Sequence, residues 1–334
     1  MKLVIPLKKF LILFILCSLV LTGCTSMQPA ESDIFAMDTV IQLKVWGHDA
    51  DAAMKGMTEK INILSSSLSV TDGELYELNR SGCATLSEDA AALLTQAMDY
   101  SIKTNGAFDP TVFSAVSLWG FTTDKNHVPT EQERLQAAET IGVSHIHLDG
   151  NNVTLDEGTM LDFGGIAKGY ASERCAELLQ DRGVTAALLM LGGNVQTVGE
   201  KPDGSSWRIG IADPAAPEKA IAQLTFSGSL ALVTSGSYQR YFEQDGVRYH
   251  HILDPETAMP ANNGVCSVTV LADSGTMADA YSTALFVMGL EEATEFWREN
   301  ENFEAVFITD NMDIFATQGA AALLSGCEFT VIER

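Results

Sequence analysis

Helix-like and strand-like stretches alternate along this 334-residue chain without a regular strand–helix–strand period, so the sequence predicts an α+β fold. Two further observations support it. Hydrophobic residues make up 46% of the chain and charged residues 19%, which allows a sizeable core and excludes a disordered chain. No repeat, low-complexity stretch or proline-rich linker divides the sequence, so one compact unit of one or two lobes is expected.

The elements follow in order. Met37–Trp46 sets Val40, Ile41, Leu43 and Val45 among polar neighbours and predicts a strand. Ala53, Met57, Ile61 and Leu64 share one face of a helix predicted over 50–68. A second helix is predicted over 89–104, stopped by Asn105-Gly106, and a third over 131–141. Asp149-Gly150-Asn151-Asn152 between short apolar runs predicts a hairpin. A helix over 166–182 ends before Gly183, and 186–191 reads as a buried strand. Strands are predicted over 207–212, 222–226, 229–234, 248–253 and 265–271. A helix over 277–288 stops at Gly289. A short helix over 291–300 and strands over 305–309 and 313–317 complete the chain.

The N-terminus points to a compartment. Lys2, Lys8 and Lys9 precede an apolar run of 12 residues, 10–21, shorter than the ~20 that a membrane helix needs. Basic, apolar and small residues in that order form a secretory signal. Leu21-Thr22-Gly23-Cys24 resembles the lipobox of bacterial lipoproteins, which implies diacylglyceryl modification of Cys24. A plain signal peptide or an anchor helix is the alternative. The expected organisation is a signal over 1–23, a lipidated tether over 24–32 and a folded domain over 33–334. The expected location is the extracytoplasmic face of a bacterial cell membrane.

Charge narrows the ligand classes. The formal net charge is −24, and loss of the three signal lysines leaves 17 basic against 44 acidic residues, a net −27. Such a chain repels polyphosphate backbones, so nucleic acid is not an expected partner. An anionic substrate needs a cation or oriented backbone amides beside it. Cys83, Cys175, Cys266 and Cys327 form no CxxC, which argues against zinc and iron–sulfur sites. One disulfide or four free thiols both fit. The P-loop, dinucleotide fingerprint, nucleophile-elbow and HExxH motifs are all absent.

Four clusters could carry chemistry. In Gly106-Ala107-Phe108-Asp109-Pro110, proline holds Asp109 extended, so the loop can offer amides and a carboxylate; Asp109 as a helix N-cap is the alternative. Asp162-Phe163-Gly164-Gly165 opens a helix beside Lys168, a place where backbone approaches a ligand closely and anions are favoured. His250 and His251 point to opposite faces of a strand, so only one can enter a site. Asp279 and Thr283 lie four residues apart on one helical face, a pair suited to Mg²⁺; Asp279 as a helix cap is the alternative.

With Met37-Asp38-Thr39, Leu118-Trp119-Gly120-Phe121, Gly192-Gly193-Asn194, Trp207-Arg208-Ile209-Gly210-Ile211 and Thr234-Ser235-Gly236, these clusters stand in an order that resembles the ApbE family, FAD:protein FMN transferases, over roughly 37–289. The resemblance implies Mg²⁺-dependent cleavage of the FAD pyrophosphate, FMN attached by a phosphoester to a threonine or serine of a target protein, and release of AMP. Some relatives instead hydrolyse FAD to FMN and AMP, and a carrier that binds flavin without chemistry is the third reading. It implies metal ligands at Asp279, Thr283 and the Gly165 carbonyl. It implies FAD contacts at Met37, Ala107, Phe108, Asp109, Asp162, Lys168 and Leu253. It makes His251 the histidine that assists the acceptor hydroxyl, with a near-neutral pKa, and His250 its outward-facing neighbour. The implied partner is an acceptor flavoprotein subunit of an extracytoplasmic redox system. Two departures stand out. Asp38 replaces the family's glycine, and Thr71 stands where the family often has an aromatic, with Tyr76 the substitute nearby.

Overall fold

The strands of the large sheet lie side by side in the order in which the chain makes them. The computed structural model describes residues 28–123 and 125–334, so the signal sequence and Cys24 lie outside the described residues. Nine strands form this sheet: β1 (Ala30–Ala36), β2 (Thr39–Trp46), β3 (Ala186–Leu191), β4 (Asn194–Gly199), β5 (Leu230–Gly236), β6 (Val265–Ala272), β7 (Phe303–Thr309), β8 (Ile314–Thr317) and β9 (Thr330–Ile332). Every neighbouring pair is antiparallel except β8–β9. The architecture is thus an antiparallel meander with large insertions, the α+β class expected. β1 starts at Ala30, inside the stretch expected as tether.

Between β2 and β3 stands a helical insertion: α1 (Ala50–Ser67), α2 (Gly73–Ser81), α3 (Glu88–Lys103), α4 (Phe113–Trp119), α5 (Glu131–Ala138) and α6 (Ala167–Asp181). It carries a small sheet containing the expected hairpin, Ile146–Asp149 paired with Asn152–Leu155. Between β4 and β5, Trp207–Asp213 and Ala216–Phe226 pair with each other in a separate sheet, to which Leu324–Ser325 adds on the far side of Ala216–Phe226. α7 (Gly275–Glu299) joins β6 to β7, and α8 (Gln318–Ala321) follows β8.

The core has two sides because the sheet is covered on both. All eight residues of β6 are buried. Val268 and Val270 pack with Phe286 and Trp297 of α7, while Cys266 and Leu271 pack with Ile211 and Leu224 of the separate sheet. A strand covered on both faces reads as a continuous apolar run, which is how 265–271 reads. On the helical side, Ile41, Leu43 and Val45 pack with Met57, Ile61 and Leu64. The four cysteines are free. No helix among the described residues is long and apolar enough to cross a membrane.

α7 is started and broken by identifiable groups. Ser274 Oγ accepts from Met277 N at 3.1 Å and caps the first turn, so Asp279 stands inside the helix and is not its cap. At Gly289 the backbone turns to φ 75°, ψ 178°, and Asn263 Nδ2 donates to the freed carbonyls of Phe286 and Val287 at 2.7 and 2.9 Å. The glycine read as a stop is a break that the chain crosses before resuming a helix.

Candidate active site

The insertions meet over the middle of the sheet and leave a cleft of about 600 Å³. Met37, Ala107, Phe108, Asp109, Asp162, Gly165, Lys168, His251, Leu253, Asp279 and Thr283 all line it. These are the metal, flavin and histidine positions that the resemblance implied, and they are brought to one place; His250, Thr71 and Tyr76 are not among the lining residues.

The tip of the β1–β2 hairpin forms one rim. Its two turn residues, Met37 and Asp38, have φ 51° and 56°, the left-handed pair of a tight hairpin turn. Met37 N is held by Ser65 Oγ at 2.9 Å. Left-handed backbone is unfavourable for a residue with a Cβ, which explains a glycine preference at position 38. Asp38→Gly is expected to raise stability by about 0.5–1 kcal/mol, read by chemical denaturation. It should also tighten binding of an anionic ligand, because an exposed negative charge leaves the rim.

The loop after α3 supplies Ala107 and Phe108. Asp109 is buried, and its carboxylate accepts from Ser101 Oγ (2.9 Å), Thr111 N (2.8 Å) and Thr111 Oγ1. It caps no helix; α4 begins at Phe113. Its work within the protein is to fix the loop. Asn79 clamps the next wall, pairing with both Leu161 N and Leu161 O at 2.7 and 2.8 Å. Beyond it, Asp162 Oδ1 accepts from Gly164 N at 2.8 Å, and Lys168 Nζ donates to Gly164 O at 3.1 Å. Desolvation pushes the Asp162 carboxyl above its ordinary range, opposed by the Gly164 amide and by Lys168 and Arg240. The aromatic rings that line the cleft are Phe108, Phe121 and Tyr238. Tyr76, expected as a substitute ring, does not line it, and Val70 occupies the neighbouring wall.

The floor is where α6 crosses α7. Asp279 Oδ2 accepts from Gly169 N at 2.8 Å, so this buried carboxylate closes the start of α6. The anion favoured at that helix start is the protein's own. Asp279 Oδ1 has no partner among the described residues. Thr283 Oγ1 lies 3.3 Å from Ser235 Oγ. A Cβ on Gly165 would stand 3.1 Å from Thr283 Oγ1 and 3.4 Å from Phe108, so glycine brings that backbone up to the hydroxyl. A free carboxylate oxygen, a hydroxyl and a close backbone segment fit Mg²⁺, which takes few protein ligands and keeps waters. No cluster of three or more His, Cys, Asp or Glu residues placed to hold a metal occurs among the described residues.

The histidine pair divides as the strand requires, with one correction. His250 does not face outward: it is buried, its Nε2 bonds Ala261 O at 2.9 Å and its ring meets Phe286 edge-on. The covering helix α7 makes both faces of this strand end interior. His251 lines the cleft, and its Nδ1 lies 3.1 Å from Arg240 O. A carbonyl only accepts, so Nδ1 carries the proton and Nε2 keeps its lone pair. Desolvation, then the Arg240 guanidinium, push its pKa down to about 3, well below the near-neutral value expected.

This displacement sets a pH dependence. An unfolded histidine takes a proton near pH 6.5, whereas folded His251 takes it near pH 3. The unfolded state binds more protons between those limits, so stability is present above about pH 6.5 and is lost as pH falls towards 3. Burial shifts His250 in the same direction. The raised Asp162 carboxyl acts oppositely, favouring the folded state as pH falls through its raised value. Metal-free protein should lose stability from pH 7 to 5, and His251→Gln should flatten that slope; an unchanged slope would contradict it.

Sequence reasoning did not assign Gly169, Asn194, Arg240 or Tyr238. Asn194 closes the Gly192-Gly193-Asn194 motif and Gly169 directly follows Lys168, but their roles depend on a helix crossing and a strand pairing that no local pattern reports.

Fold and cleft together define a class: an α+β protein whose insertions close a cleft lined by Asp279, Lys168 and His251 over a mostly antiparallel sheet. A model described as the ApbE family matches residues 37–307, and the chain belongs to that family. An FAD:protein FMN transferase of Vibrio cholerae is 36% identical over 236 residues, covering 69% of this chain and 71% of its own length. One from Klebsiella pneumoniae is 34% identical over 287 residues, covering 83% and 88%. Among solved structures, the ApbE protein of Thermotoga maritima matches with TM-score 0.83 at 32% identity, covering 89% of this chain and 99% of that one. The apo flavinyl transferase ApbE of Pseudomonas stutzeri matches with TM-score 0.81 at 27% identity, covering 92% and 100%.

Proposed function

We propose that this chain is an FAD:protein FMN transferase, moving FMN from FAD to a threonine or serine hydroxyl of a target protein and releasing AMP. The observation that carries the reading is the convergence of Asp279, Thr283, Gly165 and His251 on one cleft, in a chain whose relatives bear that name.

Asp279, Thr283 and the Gly165 carbonyl would hold Mg²⁺, which when bound offsets the charge of the diphosphate and of the phosphoryl group in transfer. Lys168 adds a cation at the same wall. His251 Nε2, unprotonated and held by its Nδ1 bond, accepts the proton of the acceptor hydroxyl. The hydroxyl oxygen forms its bond to the flavin-side phosphorus, the bond from that phosphorus to the AMP oxygen breaks, and AMP leaves with the electron pair. The partner is a flavoprotein subunit, and we place the reaction on the outer face of the membrane, with Cys24 as lipid anchor.

The test is incubation of the purified chain with FAD, Mg²⁺ and a target segment bearing a Ser/Thr acceptor. Fluorescent label on the target together with AMP is expected. AMP without label would identify a hydrolase, and no AMP with any divalent ion a carrier. His251→Ala should slow transfer by roughly 10²-fold while FAD still binds; loss of FAD binding would make the histidine a ligand contact instead.

A further inference from the structure

Asn194 opens β4 on the side of the sheet that α6 and α7 cover. It is 2% exposed and lines the cleft. Its Nδ2 is buried without a hydrogen-bond partner, and Oδ1 accepts no hydrogen bond from the described residues. A buried amide in that state costs about 1–3 kcal/mol, and such an orphan in a native cleft needs an explanation. No protein group fixes either end of this carboxamide, so its orientation is left to what enters the cleft.

Three contacts fix its height along α7. Gln196, two residues on and so on the same strand face, brings Oε1 to 3.2 Å from the Cβ position of Gly275. Ser235 on β5 bonds Ser282 at 2.8 Å and lies 3.3 Å from Thr283 Oγ1. In the ladder Gln196 pairs with Ala231 and Asn194 with Val233, so Asn194 lies midway between the Gln196 and Ser235 levels. Midway between Gly275 and Thr283 on α7 is Asp279. Asn194 therefore sits below the one carboxylate of the floor.

We propose that Asn194 is a further residue of the cation site, its carboxamide oxygen a neutral ligand, direct or through one water, to the ion held by Asp279, Thr283 and Gly165. The inference rests on the cation reading above. Hard divalent ions accept amide oxygens as readily as hydroxyls. A single carboxylate with neutral oxygens leaves the ion a net positive charge for an anionic ligand. A second carboxylate at this level would cancel that charge.

The experiment is a Mn²⁺ titration followed by electron paramagnetic resonance, on the wild type, Asn194→Ala, Asn194→Asp and Asp279→Asn. Asn194→Ala should bind Mn²⁺ about tenfold more weakly. Asn194→Asp should bind it more tightly than the wild type. The metal-free melting temperature of Asn194→Ala should be no lower than that of the wild type, because no hydrogen bond is lost and an unpartnered buried amide is removed. Unchanged Mn²⁺ affinity in Asn194→Ala overturns the inference. So does weaker affinity accompanied by an equal loss of metal-free stability, the mark of a structural role. A wild type that binds no Mn²⁺ overturns the cation reading itself, and the inference with it.

Discussion

Asp279→Asn is expected to abolish flavin transfer while the protein stays folded. Asparagine keeps an oxygen that can accept from Gly169 N, so the bond that closes α6 survives. What disappears is the only acidic side chain among Asp279, Thr283 and Gly165, the three positions that would hold the ion. A divalent ion supplies several kcal/mol of charge stabilisation in phosphoryl transfer. Losing it should lower kcat/KM by at least roughly 10³-fold, about 4 kcal/mol. The same variant should lose the Mg²⁺-induced rise in melting temperature that a bound ion gives the native state. Assays over a range of Mg²⁺ concentrations separate weak binding from a lost step: partial recovery at high Mg²⁺ fits a weakened site. Activity equal to wild type at low Mg²⁺ would refute the assignment of this carboxylate.

The cleft was legible because its pieces are loops and helix faces with strong local signatures. Gly106-Ala107-Phe108-Asp109-Pro110, the double glycine at 164–165 and the Asp279/Thr283 spacing each declare their conformation within a few residues. The sheet order was not legible, since pairing of β2 with β3 spans the whole helical insertion. β4 escaped notice because Asn194 and Gln196 are polar yet buried under the helices, and Thr197 is polar yet buried on the opposite face, which inverts the usual pattern of a half-exposed strand. α2 was missed because it is short and largely polar, with Leu75 and Leu78 its buried pair. His250 was misplaced because alternation says only that the two histidines point apart. Which side is solvent depends on α7, far away in the chain. Ala30–Ser32, the end of the polar stretch expected as tether, is strand because it pairs with β2, which no local pattern reports.

The second half of the Asp279 story, its grip on α6, depends on how closely two helices approach, and Gly169→Ala tests it directly. A Cβ at position 169 would stand 2.1 Å from the Gly275 carbonyl oxygen and 2.6 Å from Asp279 Cβ. The first obstacle is backbone, so no side chain can swing aside. The crossing itself must widen. Overpacking of this kind costs about 3 kcal/mol, a fall of roughly 6–12 °C in melting temperature. The widening acts where Gly169 N meets Asp279 Oδ2, so the carboxylate loses its fixed partner while all its neighbours remain chemically intact. Well below the melting transition, transfer should therefore fall more than tenfold, with Mg²⁺ affinity falling in parallel and far-UV circular dichroism unchanged. The contrast with Gly106→Ala is instructive: a Cβ there meets nothing within 4 Å, and its φ of 85° makes any loss one of backbone strain, not of crossing distance. If Gly169→Ala melts and binds Mg²⁺ like the wild type, the helices slide cheaply, and the close crossing is not what holds Asp279 in place.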